Sequence, residues 1–207
     1  MNRLFVLGAG GHGKVAAECA ALSNTYDKII FFDDRWPKID RIGEWPVLGT
    51  CDSIYKIVTP QDQIFVAIGN AKIRISLLEK TTKQGLSIAT LVHPSAVTSP
   101  RSKIGSGSLV CAGAIICTDT RIDTGCIVNT GATIDHDCTL EKGVHVCPGA
   151  HVAGNVYIGS CSWIGLGSCI VQGIIVGANA TVGAGATVIR NVPSSCTVVG
   201  TPAKKLN

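Results

Sequence analysis

Charge and aromatic rings are scarce in this chain. Of its 207 residues, 15% are charged and 5% aromatic. The formal net charge of +4 is too small to argue for a polyanionic partner, which sets nucleic acid aside. No apolar run reaches the length of a membrane span. The opening MNRLFVLGAGGHGK passes from apolar residues straight into a glycine-rich loop without a signal-peptide cleavage pattern, so the expected location is the cytoplasm. Ten cysteines are present, but no C-x-x-C pair, which leaves out the commonest redox and zinc spacings.

Val, Ile and Leu recur every sixth position from Val92 to Val188. Sixteen of the seventeen lead residues are one of these three, Thr98 being the exception, and a period that never slips outranks any local propensity. Three residues after each lead stands Gly, Asn or Asp in most hexads, as at Gly107, Asp119, Asp137, Asn155, Asn179 and Asn191. These are the residues that tolerate a positive φ. Four residues after the lead the side chain is usually small, as at Ala114, Ala132 and Ala150. Each hexad therefore reads as a short strand with an inward aliphatic, a sharp corner and a small inward residue. Three hexads make one triangular coil, and stacked coils make a parallel β-helix in which residues eighteen apart lie above one another. Cys126 and Cys138 fall in the small inward column, and Cys111, Cys117 and Cys147 one place after a lead. They read as buried small hydrophobes with no metal or disulfide role.

Before the hexads the chain reads differently. Residues 3–8 form a buried strand, Gly8 to Gly13 a loop, Lys14 to Leu22 a helix and residues 28–34 a second strand ending in Asp33 and Asp34. Residues 64–69 are a third strand, followed by a helix from Asn70 to Gln84 with Ile73, Leu77 and Leu78 on one face. Strand, glycine loop, helix, strand and acid open a Rossmann-like unit, whose loop lets backbone approach a phosphate at a helix N-terminus. About ninety residues make only half a dinucleotide fold, so one nucleotide or a nucleotide-sugar is preferred over NAD. The expected architecture is an α/β Rossmann-like domain over residues 1–90 and a β-helix with a C-terminal tail over residues 91–207.

The segments LGAGGHGK, FFDD, VAIGNAKIR, IVNTGATIDHDC, HVCPGAHVAGNV and VVGTPAKKL together resemble the bacterial sialic-acid O-acetyltransferase family of hexapeptide-repeat enzymes. Within it they are most similar to the nucleotide-4-amino-sugar N-acetyltransferases. The resemblance implies a left-handed β-helix holding acetyl-CoA, and a first domain holding the nucleotide-sugar. It also implies a homotrimer with active sites between adjacent subunits, and a role in bacterial surface glycan synthesis. It implies His136 as general base, with Asp137 raising its basicity where near relatives carry Glu. Asp137 also falls in the corner column, so a purely conformational role for it, with Asp135 orienting the ring, stays open. By the same resemblance His145 meets the thioester region, one coil before Trp163. Gly154 leaves room for the acyl group and offers an N–H to the oxyanion, and Leu166 and Ala184 lie along the CoA arm. Gly10, Gly11 and His12 match the substrate loop, Asp33 and Asp34 the base and ribose contacts, and Gly69 and Asn70 a backbone approach to the pyrophosphate. Lys204 and Lys205 could meet CoA phosphates.

The chemistry fits this assignment. Acetyl transfer needs a nucleophile, a base for its proton, a held thioester and donors for the oxyanion. CoA is its own leaving group, so neither a protein nucleophile nor a metal is called for. Three other readings compete: a sialic-acid type O-acetyltransferase, a zinc lyase using His136, His145 and His151, and a non-catalytic nucleotide-sugar binding subunit.

Overall fold

The structure, a computed structural model, describes residues 2–206. The chain divides into two compact units, the first ending at Pro94 and the second beginning at Ser95.

In the first unit four strands pair in parallel in the order Lys28–Phe32, Arg3–Leu7, Gln63–Val66 and Ser87–Ile88. The central strand is buried on both faces, with Leu4, Phe5, Val6 and Leu7 all inaccessible, as a parallel strand flanked by helical crossovers must be. Phe5 and Phe32 meet edge to face, their ring centroids 5.6 Å apart. The three main strands stop one to three residues short of the sequence expectation, because Gly8, Asp33, Asp34 and Gly69 belong to the loops beyond them. The first helix, Gly11–Leu22, begins three residues earlier than expected, directly out of the glycine loop.

The second helix, Ala71–Lys83, corrects one expectation. Its buried residues are Arg74, Ile75, Leu78 and Thr81, and Ile73 is exposed. Arg74 is fully buried and donates from Nη1 to the carbonyls of Ile68 at 2.8 Å and Gly69 at 2.9 Å. A hydrogen-bonded guanidinium can lie inside where an unpaired one could not. Of the expected face Leu78 is buried, while Ile73 gives way to Arg74 and Ile75 on the inner side.

The second unit is a parallel β-helix built as the hexads prescribe. Every hexad supplies a two-residue strand whose second residue is the lead, and the registers step by eighteen, as in Thr133↔His151 and Ile134↔Val152. The leads from Val110 to Val188 are all buried. Burying one such aliphatic contributes about 1.5–3 kcal/mol relative to leaving it in water. Three sheets form the faces of the prism. One carries the strands beginning at Leu109, Ile127, His145, Trp163 and Thr181, the second those beginning at Val97, Ile115, Thr133, His151, Cys169 and Thr187, and the third those beginning at Lys103, Arg121, Thr139, Tyr157 and Ile175. The corners are tied as firmly as the faces: the Asp137 N–H donates to Thr118 O at 3.1 Å, and the Asn155 N–H to His136 O at 2.9 Å.

Each corner residue from Gly107 to Gly185 has a positive φ, Asp119, Asp137, Asn155 and Asn179 among them. Cys161 joins them at φ 58° without being Gly, Asn or Asp. Asn191 does not; its side chain instead accepts the N–H of Ile175 at 2.9 Å as the last coil opens into the tail. The tail turns back, and Lys204–Lys205 pair antiparallel with Val198 and Val199. All ten cysteines are free. Among the described residues no helix is long and apolar enough to cross a membrane.

Candidate active site

In the first unit a cavity of about 490 Å³ is lined by Gly8, Gly10, Gly11, His12, Asp33, Arg35, Ala67, Ile68 and Gly69. Its floor is set by sterics. Gly8 sits at φ 102°, and a Cβ there would meet Ala67 O at 2.9 Å; a Cβ on Gly13 would strike the carbonyl of Gly8. Gly10 and Gly11 face open space instead. Gly10 is the N-cap of the first helix and has no side chain to occupy its leading N–H groups. An uncapped helix start presents free donors and the positive end of the helix dipole to an anion. The second helix is closed in this respect, since Asn70 Oδ1 accepts the N–H of Ile73 at 3.1 Å. Of the pair expected to approach a pyrophosphate, Gly69 lines the cavity, while the Asn70 side chain caps its own helix.

The two acids after the second strand separate in the same way. Asp33 Oδ2 accepts the N–H of Ala9 at 2.7 Å, fastening the glycine loop to the strand end. Its carboxylate also takes Nε and Nη2 of Arg35 at 2.8 and 3.0 Å. The Arg35 guanidinium, ahead of the loop amide, holds Asp33 down at about 2. Asp34 lies outside the cavity lining, and its Oδ1 accepts the N–H of Cys51 at 2.9 Å. His12 has a buried Nε2 without a hydrogen-bond partner. Burial, and after it the charge of Arg74, push His12 down to about 4, so it is neutral at pH 7. Arg35 and Arg74 are the cationic groups here that sequence reasoning passed over. The mixed stretch VAIGNAKIR held the signal for Arg74, but only burial reveals its use.

In the second unit His136 stands exposed on the corner between the strands Thr133–Ile134 and Thr139–Leu140. Its Nδ1 lies 2.8 Å from Asp137 Oδ2. The carboxylate makes Nδ1 the donor, which leaves Nε2 as the free base. The Asp137 contact, aided by the charges of Asp135 and Asp137 and opposed by slight burial, raises His136 above the ordinary histidine range. Asp135 is not the ring's partner, because its Oδ1 accepts the backbone N–H of His136 at 2.8 Å. Asp137 both shapes the corner, at φ 58°, and holds the ring.

Gly154, one coil on, lies against the ring of His136. A Cβ there would lie 2.5 Å from His136 Nε2 and 2.6 Å from Cε1. The room left by this glycine is taken by the imidazole itself.

His145 lies elsewhere, buried on the first face. Its ring meets Trp163 edge-on with centroids 4.4 Å apart, and its Nε2 is 3.1 Å from Asn129 Nδ2. Asn129 Oδ1 is taken by the Thr130 N–H at 2.8 Å, so the amide presents its donor to the ring and Nε2 accepts. Asn129 was not among the expected site residues, and no spacing rule points to it. Leu166 and Ala184, eighteen apart and both exposed, share the next corner beyond that face. His151 is on the second face, its Nδ1 2.9 Å from Thr133 Oγ1. The three histidines of a zinc reading thus occupy one corner and two different faces, and among the described residues no three His, Cys, Asp or Glu groups come together as a metal cluster.

Comparison with known proteins adds the following. Residues 3–81 match the family described as the PglD N-terminal domain. The UDP-N-acetylbacillosamine N-acetyltransferase of Bacillus subtilis (strain 168) is 34% identical over 112 residues, 53% of this chain and 51% of that protein. The match thus spans about half the length of this curated relative. The acetyltransferase domain of PglB from Neisseria gonorrhoeae FA1090 superposes with a TM-score of 0.96 at 45% identity, covering 99% of each chain. It has also been solved in complex with acetyl coenzyme A. PerB from Caulobacter crescentus, in complex with CoA and GDP-perosamine, superposes with a TM-score of 0.91 at 34% identity over 99% of this chain and 97% of that one.

Proposed function

The chain belongs to the PglD-like family of sugar N-acetyltransferases, and from that premise we propose that it moves the acetyl group of acetyl-CoA onto the 4-amino group of a nucleotide-linked sugar. The observation that carries this reading is the corner group of His136, Asp137 and Gly154: an exposed imidazole, oriented at Nδ1 by a carboxylate and seated on a coil that makes room for it.

The step balances simply. The neutral amine attacks the thioester carbonyl while Nε2 of His136 takes its proton. The tetrahedral intermediate collapses with cleavage of the carbon–sulfur bond, and the proton passes on to the CoA sulfur. A base with its pKa near the working pH is the efficient choice. Asp137 supports the imidazolium formed midway. The cavity of the first unit takes the nucleotide end, with the uncapped start of the Gly11–Leu22 helix toward the pyrophosphate. The relatives solved with acetyl coenzyme A, and with CoA plus GDP-perosamine, support the two substrate classes.

Neighbouring copies in a homotrimer share the site. What supports this is the separation of its parts: His136 and Asp137 lie on one corner, Leu166 and Ala184 on another, with a whole face between. A cyclic, head-to-tail interface brings such parts together.

Mass-spectrometric acetyl transfer from acetyl-CoA across a panel of nucleotide-linked 4-amino-sugars tests the reading. Turnover on at least one of them is the expected result. Transfer to sugar hydroxyls alone would reassign the chain as an O-acetyltransferase.

Two variants divide the assignment. Asp33→Ala frees the glycine loop and Arg35 together. It is expected to raise KM for the nucleotide-sugar roughly tenfold, about the cost of one charge-assisted contact, and to leave KM for acetyl-CoA nearly unchanged. Equal rises in both constants would count against this placement of the nucleotide.

Asp137→Asn keeps a side chain that tolerates the corner but removes the charge that raises His136. Activity needs the neutral imidazole, so the rate falls as pH drops through the pKa of His136. Removing the charge lowers that pKa, and the acid limb moves to lower pH, with kcat about tenfold down and the melting temperature unchanged. A pH–rate profile that overlays wild type would leave Asp137 a corner residue only.

A further inference from the structure

We infer that Arg35 grips the diphosphate of the nucleotide-sugar, and that Asp33 is a positioning residue that acts through Arg35 and touches neither ribose nor base. The inference rests on the reading that the nucleotide lies in the cavity of the first unit, and goes beyond it by naming the cation.

The acid at a strand end in a Rossmann-like unit ordinarily accepts a ribose hydroxyl. Asp33 has no position left to accept one. Its Oδ1 takes the backbone N–H of Arg35 at 3.0 Å and the side-chain Nε at 2.8 Å. Its Oδ2 takes the Ala9 N–H at 2.7 Å and Nη2 of Arg35 at 3.0 Å. Four donors fill the roughly four acceptor positions of a carboxylate. Other acceptors bordering the cavity are occupied too. The Gly10 carbonyl accepts the Lys14 N–H at 3.1 Å, and those of Ile68 and Gly69 accept Arg74. The lining therefore offers donors, which suits a ligand that brings acceptors. Of the parts of a nucleotide-sugar, the diphosphate brings acceptors alone and carries the charge.

Arg35 is held ready for it. Nε and Nη2 lie on Asp33, which occupies one edge of the guanidinium and leaves the edge between Nη1 and Nη2. Among the described residues Nη1 has no partner, and the side chain is 57% exposed. Two parallel N–H groups on that edge match two phosphate oxygens. The turn after the strand Lys28–Phe32 fixes the position: the Trp36 N–H donates to Asp33 O at 2.9 Å and the Lys38 N–H to Arg35 O at 2.8 Å. Because Nη2 and the Ala9 N–H share Oδ2 of Asp33, guanidinium and glycine loop converge on one oxygen. Gly10, the uncapped helix start, follows directly, and no atom lies within 4 Å of where its Cβ or that of Gly11 would stand.

The charges call for the cation as well. Asp33, held at about 2 chiefly by Arg35, is ionised, and a bare carboxylate beside a diphosphate would repel it. Arg35 cancels that charge with one edge and attracts the ligand with the other.

Isothermal titration of the full chain with GDP, UDP and dTDP identifies the tightest binder, which is then carried through the variants. Arg35→Ala is expected to raise its Kd roughly 10- to 100-fold, the range for a lost charge-assisted fork. Salt should weaken binding to the wild-type chain by screening. In Arg35→Ala it should weaken binding less, or strengthen it, because the bare Asp33 then faces the ligand. Adding Asp33→Asn to Arg35→Ala keeps an acceptor for the Ala9 N–H and removes the repelling charge, so Kd should fall back severalfold. If Asp33 itself held the ribose, the second substitution would weaken binding further and overturn its assignment. Gly11→Asp is the control for the cavity: an acid suits a helix start but sets a negative charge where the diphosphate lies, and binding should be lost. A Kd for Arg35→Ala within about twofold of wild type, below the range for such a contact, with binding still lost in Gly11→Asp, would overturn the role of Arg35 and leave the nucleotide in its cavity. A loss whose salt dependence matches wild type would move Arg35 to the base or ribose and overturn the diphosphate contact. Binding unmoved by either substitution, or no binding of any of the three nucleotides, would sink the placement of the nucleotide as well.

Discussion

His136→Ala is expected to lower kcat by roughly 10²–10⁴-fold, the usual loss on removing a general base. KM for both substrates should change little, because the ring acts on the proton moved in the transition state. The melting temperature should hold, since His136 is exposed and its one side-chain partner is its neighbour Asp137. The acid limb of the pH–rate profile should vanish with the group that produces it. What remains is the rate from positioning amine and thioester side by side, which is why transfer should persist at a low level. Stopped-flow release of free CoA with a thiol reagent measures all of this. A kcat within a factor of about three of wild type, below the range for a lost base, would remove His136 from the reaction and assign the base to another group.

Gly154→Ala is expected to lower kcat by about 10- to 100-fold without touching any group that does chemistry. An alanine Cβ would sit 2.5 Å from Nε2, 2.6 Å from Cε1 and 3.1 Å from Cδ2 of His136. Carbon and nitrogen do not approach so closely, so the ring must swing out, and a displacement near 1 Å costs on the order of 10²-fold in rate. The contact of 2.8 Å to Asp137 loosens with it, so the acid limb moves to lower pH as in Asp137→Asn. The backbone N–H of residue 154 survives the substitution. A loss of rate therefore reports the ring's position and not a missing oxyanion donor. Gly154 is not among the positive-φ residues, so alanine fits the backbone and the fold should stand. Wild-type kcat with an unmoved pH profile would show that the ring gives way without cost, or that its place does not matter.

The coil was legible because one requirement, a buried aliphatic every sixth residue, repeats without interruption, and because corners accept few residue types. Cys161 shows the limit of the second rule: at φ 58° it takes a corner that stacking above and below imposes on whatever residue stands there. The strand–loop–helix opening was equally readable from Gly8 to Gly13. The helix after Gly69 was placed correctly and its inner face was not. Apolar periodicity cannot anticipate a buried Arg74 whose partners are the carbonyls of Ile68 and Gly69. Within the site, His136 and Asp137 are adjacent in sequence and could be read as a pair. Asn129 and His145, sixteen residues apart, meet only because the coil closes between them. The same closure brings Gly154, eighteen residues on, against the ring of the base.

A β-helix behaves almost as a one-dimensional stack, each coil touching only the coil before it and the coil after it. Melting in such a stack begins where a coil has a neighbour on one side only and travels inward. The tail from Gly200 to Lys205, past the opened corner at Asn191, is such an end. Asn129, His136, His145 and Gly154 belong to coils with full neighbours on both sides. Amide hydrogen exchange should then slow progressively from the tail toward the coils of the site. Fraying at the tail would leave the base in register, and the chain can lose order at one end before it loses its chemistry.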